Sequence, residues 1–219
     1  MSPDLARERV DYQNPHLLED QVPLDPVELL RAWLDDAFAA KEQGLITEPS
    51  AVTVATARQL PNGSWQPTAR IVLLKAIDDG LVFFTNYNSA KGSDLAANPY
   101  ATLLAYWGPL FRQVRVEGTV APVSAAESDA YFDLRPRGAQ LGAWASEQSS
   151  KVSGLEQLIA EYAAAQDRFS ADVPRPPHWG GYRLTPQRWE FWVGQPSRMH
   201  DRVVYSPSDG GWSIGRLAP

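Results

Sequence analysis

Ala69-Arg70-Ile71-Val72-Leu73-Leu74-Lys75 is the run whose reading decides the fold. Four apolar residues stand between two cations, too few for a helix, and turn signals bound the run on both sides, so it reads as a buried strand. Side chains alternate along a strand, which puts Arg70 and Lys75 on opposite faces with backbones roughly 16 Å apart. Two accounts fit that placement: solvated strand ends, or two cations that hold two separate anions.

Working outward, Ala51-Val52-Thr53-Val54-Ala55-Thr56 is a strand, and the Pro61-Asn62-Gly63-Ser64 turn folds it back onto the central run. Asp78-Asp79-Gly80 is a tight turn into a third strand, Leu81 to Asn86, which makes an antiparallel meander. Further strands are read at Tyr100–Trp107 and Arg112–Val120 around Gly108-Pro109, and then at Trp179–Leu184 and Trp189–Val193. Arg202–Tyr205 and Trp212–Ile214 form a closing hairpin about Asp209-Gly210-Gly211.

Helices fill the connections. Asp25 caps one that starts at Pro26, carries Leu29, Leu30, Trp33, Leu34, Ala37 and Phe38 on its packed face, and closes at Gly44. Ser89 caps a short helix that ends near Asn98-Pro99. Ser124–Glu127 is a capping box that opens a helix to about Leu134, broken by Arg135-Pro136-Arg137-Gly138. Ser153–Glu156 reads as a second capping box, with a helix to about Phe169, and Val173–Pro177 as a stiff linker. Residues 1–22 show no periodic apolar pattern and read as a mobile arm, with 23–219 as a single domain. Seven or eight strands with helical connections predict a mainly β chain with flanking helices, closed or partly closed as an antiparallel barrel. Periodicity alone does not separate that barrel from a sandwich.

The 219 residues, 44% hydrophobic, can bury a sizeable core, and a net charge of −6 argues against a nucleic-acid surface. There is no cysteine, hence no disulfide, thiol nucleophile or thiolate metal site. His16, His178 and His200 lack ligand spacing, so no metal is expected. Without an apolar leader or a membrane-length run, the expectation is a cytoplasmic protein that does not engage a membrane.

Four clusters carry candidate chemistry. Thr85, Ser89 and Lys91 meet at a helix N-terminus, which is either a phosphate seat or an ordinary cap. Arg135-Pro136-Arg137 presents two guanidinium groups, with Tyr131 one turn earlier on the same face; they either bind phosphate or complement the helix dipole. Gln140 to Ser150 reads as a polar loop whose amides and hydroxyls could also bond a heterocycle edge. Arg198-Met199-His200-Asp201-Arg202 is densely charged. As a strand it sets Arg198, His200 and Arg202 on one face, where two cations and an imidazole need an anionic or electron-rich partner.

These motifs, with Trp179-Gly180-Gly181, Glu190-Phe191-Trp192 and the closing Arg216-Leu217-Ala218-Pro219, stand in the order and spacing of the pyridoxine/pyridoxamine 5'-phosphate oxidases, which the chain resembles from Asp25 onward. The resemblance implies an FMN-binding split β-barrel, Greek-key-like, and a homodimer whose two active sites lie at the subunit interface. Arg70, the Ile71, Val72, Leu73 and Leu74 backbone, Lys75, Phe84, Thr85 and Lys91 would hold FMN, with Arg70 and Lys91 at its phosphate. Gln113, Gln148, Ser149, Trp192 and Arg202 would complete the flavin pocket. Lys75, Tyr131 and Arg135 would grip the substrate phosphate, and Arg198 and His200, the catalytic pair, would contact the pyridine ring beside Met199.

In the arm, Arg9 and Tyr12 match a segment that folds over the substrate. The implied reaction is hydride transfer from a small phosphorylated pyridine to the flavin, with dioxygen as acceptor and release of hydrogen peroxide. Three departures bear on affinity: Ala90 where many members carry a second cation, Ala139 where a serine is common, and Phe84 in place of a tyrosine. The alternatives are a related split-barrel flavin oxidase acting on a phenazine precursor and a non-catalytic FMN or pyridoxal-phosphate binding module.

Overall fold

The computed structural model describes residues 4–7 and 10–219. Its strands are β1 (Ala51–Gln59), β2 (Trp65–Ile77), β3 (Leu81–Asn86), β4 (Tyr100–Trp107), β5 (Arg112–Pro122), β6 (Trp179–Val193), β7 (Asp201–Ser208) and β8 (Gly211–Arg216). Its helices are α1 (Pro26–Glu42), α2 (Ala90–Ala97), α3 (Ala125–Asp133), α4 (Arg137–Ala145) and α5 (Leu155–Arg168). The strands run β3-β2-β1-β4-β5-β6-β7-β8, with a further β3–β6 pairing. That pairing, from Leu81 opposite Leu184 to Asn86 opposite Trp179, closes six strands into a barrel and leaves β7 and β8 as an extension. It also decides between the two all-β architectures that periodicity left open.

The two apolar stretches read separately at Trp179–Leu184 and Trp189–Val193 are one strand of 15 residues. Its first half pairs with β3 and its second with β7, across Pro186, which sits where the pairing changes partner.

The central run lies inside β2 but is not buried: Leu74 alone falls in the core, and Ile71 is 62% exposed. Its apolar residues are there for another reason, since Ile71, Val72 and Leu73 line an open cavity. The β2–β3 register slips between Leu74 and Ala76, a bulge that leaves Lys75 unpaired in the ladder.

Two compact units make up the contacts of the chain. One comprises 1–51, 104–116 and 187–219. Its core packs the α1 residues Leu29, Leu30 and Trp33, the last edge-on to Phe191, with Trp189 and Tyr205 fully buried. Asp25 caps α1 by accepting from the Val27 amide, as expected, whereas Phe38 lies exposed rather than on the packed face. Residues 13–22 are without helix or strand but are hydrogen-bonded: Asn14 to the Gly194 carbonyl, His16 and the Leu17 amide to Asp201, Glu19 to Arg216.

The other unit, 52–103 and 117–186, builds a core from Phe132, Leu141, Ala143, Ala165, Val173 and Trp179. The Ser124 capping box forms as read. The second does not: Gly154 is the cap of α5, and Ser153 is bonded by Gln157, not Glu156. The Gln140–Ser150 loop is α4 as far as Ala145. Its helical character was hidden by Gly138 and Gly142, both poor helix formers.

Candidate active site

Each unit carries one group of the candidate residues. In the unit of 52–103 and 117–186, Ile71, Val72, Leu73, Lys75, Phe84, Thr85, Lys91, Tyr131, Arg135, Gln148 and Trp179 surround one cavity of about 270 Å³. Lys91 is raised into it by the first turn of α2, whose cap Ser89 accepts from the Gly92 amide. The Lys91 ammonium is buried and donates to Gln148 Oε1 (2.6 Å), Thr85 Oγ1 (2.8 Å) and Ser89 Oγ (3.4 Å). All three are uncharged. Burial, with the Arg70 guanidinium adding to it, pulls the ammonium down to about 8.

Arg70 leaves β2 on the other side, as alternation requires. Its guanidinium bonds Thr56 Oγ1 at 2.7 Å and Thr68 Oγ1 at 2.8 Å, and pairs with Asp94 Oδ2 at 3.4 Å. Leu74, by contrast, is not among the residues that line the cavity, and its side chain is in the core.

Elsewhere in the lining the rings of Phe84 and Tyr131 stack at 3.9 Å, and Arg135 lies 4.5 Å over the Trp179 ring. Arg135 Nη1 is buried with no hydrogen-bond partner among the described residues, and burial holds its guanidinium below the ordinary value. A buried donor with nothing to donate to is costly, and a bound oxyanion removes that cost. The second arginine of that motif, Arg137, is used structurally: it donates to the carbonyls of Phe169 and Ala171 and ties the start of α4 to the end of α5.

In the other unit, Tyr12, Trp192, Arg198 and His200 are neighbours. The Tyr12 ring is edge-on to His200 (5.4 Å) and Trp192 (6.0 Å), and Trp192 lies 4.7 Å from His200. Tyr12 and Arg198 also line a cavity of about 360 Å³ with Gln195 and Ser197. Met199 is exposed, Gln113 sits in β5, and Arg9 lies outside the described residues.

The one-face alternation of Arg198, His200 and Arg202 does not occur. Residues 196–198 form a tight turn with left-handed backbone at Ser197 and Arg198, and the strand begins only at Asp201. Pro196 favours that turn and withholds an amide from any ladder. His200 Nδ1 accepts from the Gln195 amide at 3.0 Å, which leaves Nε2 to carry the proton of the neutral ring. Burial, reinforced by Arg198, holds His200 below the ordinary imidazole value against the opposing pull of Asp201. Arg202 is paired with the buried Glu190 at 2.8 Å.

Backbone strain collects at these positions. The non-glycine residues with positive φ among those described are Phe111 (49°), Ser149 (75°), Ser197 (55°) and Arg198 (65°). Such conformations cost about 1–3 kcal/mol each and persist where surrounding contacts impose them. Trp179, Asp94, Gln195 and Glu190 were not singled out in the sequence as site residues. The Trp179-Gly180-Gly181 and Glu190-Phe191-Trp192 motifs marked Trp179 and Glu190, and nothing local marked Asp94 or Gln195.

The closed six-strand antiparallel barrel, with the buried Lys91 in the first turn of α2, has the architecture of the split-barrel flavoproteins. Residues 38–193 match the family "Pyridoxamine 5'-phosphate oxidase", and 179–219 match "Pyridoxine 5'-phosphate oxidase C-terminal dimerisation region". The chain belongs to the pyridoxamine 5'-phosphate oxidase family.

It is 52% identical over 214 residues, 96% of this chain and 97% of the other, to the pyridoxine/pyridoxamine 5'-phosphate oxidase of Bordetella pertussis. To the enzyme of that name from Cupriavidus metallidurans it is 51% identical over 217 residues, 98% and 99% of the two chains. Among solved structures, PhzG from Burkholderia lata 383, in complex with tetrahydrophenazine-1-carboxylic acid, superposes with a TM-score of 0.85 at 30% identity, covering 96% of this chain and all of that one. FMN is the cofactor of this family. Lys91, buried among neutral oxygens, is the kind of group that a phosphate ester satisfies. Among the described residues no helix is long and apolar enough to cross a membrane.

Proposed function

We propose that this chain is an FMN-dependent oxidase that converts pyridoxamine 5'-phosphate and pyridoxine 5'-phosphate to pyridoxal 5'-phosphate in the cytoplasm. The observation that carries the reading is that one cavity is lined by three cationic side chains, Lys75, Lys91 and Arg135. Two anchored phosphates, one on cofactor and one on substrate, suit that lining.

FMN, when bound, would supply the two-electron redox chemistry: acceptance of a hydride from the substrate carbon and its passage, with a proton, to dioxygen as hydrogen peroxide. Lys91 and Arg70 hold the flavin phosphate, with Thr85 and Gln148 fixing the ammonium. Lys75, Tyr131 and Arg135 hold the substrate phosphate, and that remote binding energy positions the reacting carbon. His200 presents Nε2–H to the pyridine ring, and Arg198 covers the ring. The enzyme is a homodimer, supported by the match of 179–219 to a dimerisation region, with each site completed by both chains.

The test is anaerobic mixing of FMN-loaded protein with pyridoxamine 5'-phosphate. Bleaching of the flavin, with colour restored by air, is expected. Persistent colour with flavin bound would refute the substrate assignment. It would turn attention to a phenazine precursor, the second reading, which the likeness to PhzG favours.

A further inference from the structure

Neighbouring strands β1 and β2 face α2 with two residues each. Thr56 and Arg58 stand two apart on β1, Thr68 and Arg70 two apart on β2, so each pair shares a face. All four converge on one carboxylate, Asp94, three residues after Lys91 and on the same side of α2.

Asp94 is 4% exposed. Oδ2 accepts from Thr56 (2.7 Å), Thr68 (2.8 Å) and Arg70 (3.4 Å), and Oδ1 accepts from Arg58 Nε at 3.2 Å. Although burial pushes this carboxyl up, the bonds from Thr56, Thr68 and Arg58 keep it below the usual carboxylate range.

The cluster is not neutral. Arg58, Arg70 and Lys91 carry three positive charges against the single negative charge of Asp94. The surplus of two matches a phosphate monoester near neutral pH, which carries about −1.5 to −2. Arg58 uses only Nε internally. Its side chain is 43% exposed, and among the described residues Nη1 and Nη2 have no hydrogen-bond partner. The position next to Lys91 that could have carried a further cation is Ala90.

We infer that Arg58 is a further cofactor-binding residue: Asp94 holds its guanidinium beside Arg70, and there it supplies to the flavin phosphate the charge that Ala90 does not. Asp94 is the positioning residue of this arrangement. The inference rests on the FMN reading above.

Apoprotein is titrated with FMN and, separately, with riboflavin, which lacks the phosphate, and flavin fluorescence quenching is followed in both. Arg58→Ala is expected to raise the Kd for FMN about ten- to hundredfold, the range for losing a charge-assisted hydrogen bond, and to leave riboflavin binding unchanged. Arg58→Lys, which keeps the charge and loses the fork, should lie between. Introducing A90R into the Arg58→Ala protein should recover part of the loss. Wild-type affinity for FMN in Arg58→Ala overturns the assignment, and so does an equal loss for FMN and riboflavin, which would mark a structural role. Wild-type protein that binds no FMN at all overturns the cofactor reading along with it.

Discussion

Lys91 and His200 are both held away from their ordinary protonation, and each shift has a consequence. In the free protein the Lys91 ammonium titrates at about 8 because it is buried beside Arg70. A phosphate placed on it favours the charged form and raises that value, so FMN binding above pH 8 takes up a proton. The affinity of apoprotein for FMN should therefore fall as pH rises through 8, by up to about tenfold per unit. Lys91→Met should bind weakly and without this slope, and a wild-type affinity that is flat from pH 7 to 10 would remove Lys91 from the phosphate. The sign for folding is opposite. The unfolded chain holds the Lys91 proton to higher pH, so the stability of apoprotein gains from this residue as pH rises from about 8 toward the ordinary lysine value. For His200, Nδ1 is occupied by the Gln195 amide, and protonation there breaks a hydrogen bond. The folded imidazole value is lowered, so this residue's contribution to stability is present above the ordinary value and declines as pH falls through it. Nitrogen-15 NMR should report Nδ1 unprotonated and Nε2 protonated at neutral pH; the reverse tautomer would cancel the donor role assigned to Nε2–H.

The elements that carry these residues differ in how far the sequence specified them. α2 was fully readable, because Ser89 is a capping residue and Asn98-Pro99 a stop, and it begins and ends there. Its seating was not readable. A Cβ on Gly92 would lie 1.9 Å from the Tyr87 carbonyl oxygen, so only glycine lets this first turn sit against the preceding loop. Gly92→Ala should displace the turn and Lys91 with it, costing about 1–3 kcal/mol and lowering the apoprotein melting temperature by several degrees. FMN affinity should fall in parallel, and unchanged melting and affinity would show that the contact gives way freely. Elsewhere the local code was overridden. The β2 run reads as buried because apolar residues that line a ligand cavity have the same composition as those that line a core. The bulge at Lys75 and the left-handed backbone of Arg198 leave no trace in residue type, since both are imposed by neighbouring strands and turns. Side-chain partners across long sequence separations, such as Asp94 with Arg58 and Glu190 with Arg202, follow from register, which a single sequence does not state.

At the scale of the molecule, the candidate residues fall into two groups on two compact units, one with Lys75, Tyr131 and Arg135 and the other with Arg198 and His200. The proposed homodimer makes a definite claim about them: the first group of one chain works with the second group of its partner. Arg135→Ala and Arg198→Ala each remove one group and should each be nearly inactive as pure proteins, with Arg198→Ala slowing flavin reduction far more than it weakens FMN binding. Mixing the two under conditions that exchange subunits makes mixed dimers. In such a dimer one of the two sites carries both substitutions and the other carries neither. With random exchange half of the dimers are mixed and one site in each is intact, so activity should recover to about a quarter of the wild-type rate. The recovered rate should appear only after exchange, not on simple addition, and should show a wild-type KM because the intact site is unaltered. If both groups serve within a single chain, every site in every dimer keeps one substitution, and no exchange protocol restores activity. The stoichiometry of that recovery, read from mixing ratios, separates a site shared between copies from a site that each chain completes alone.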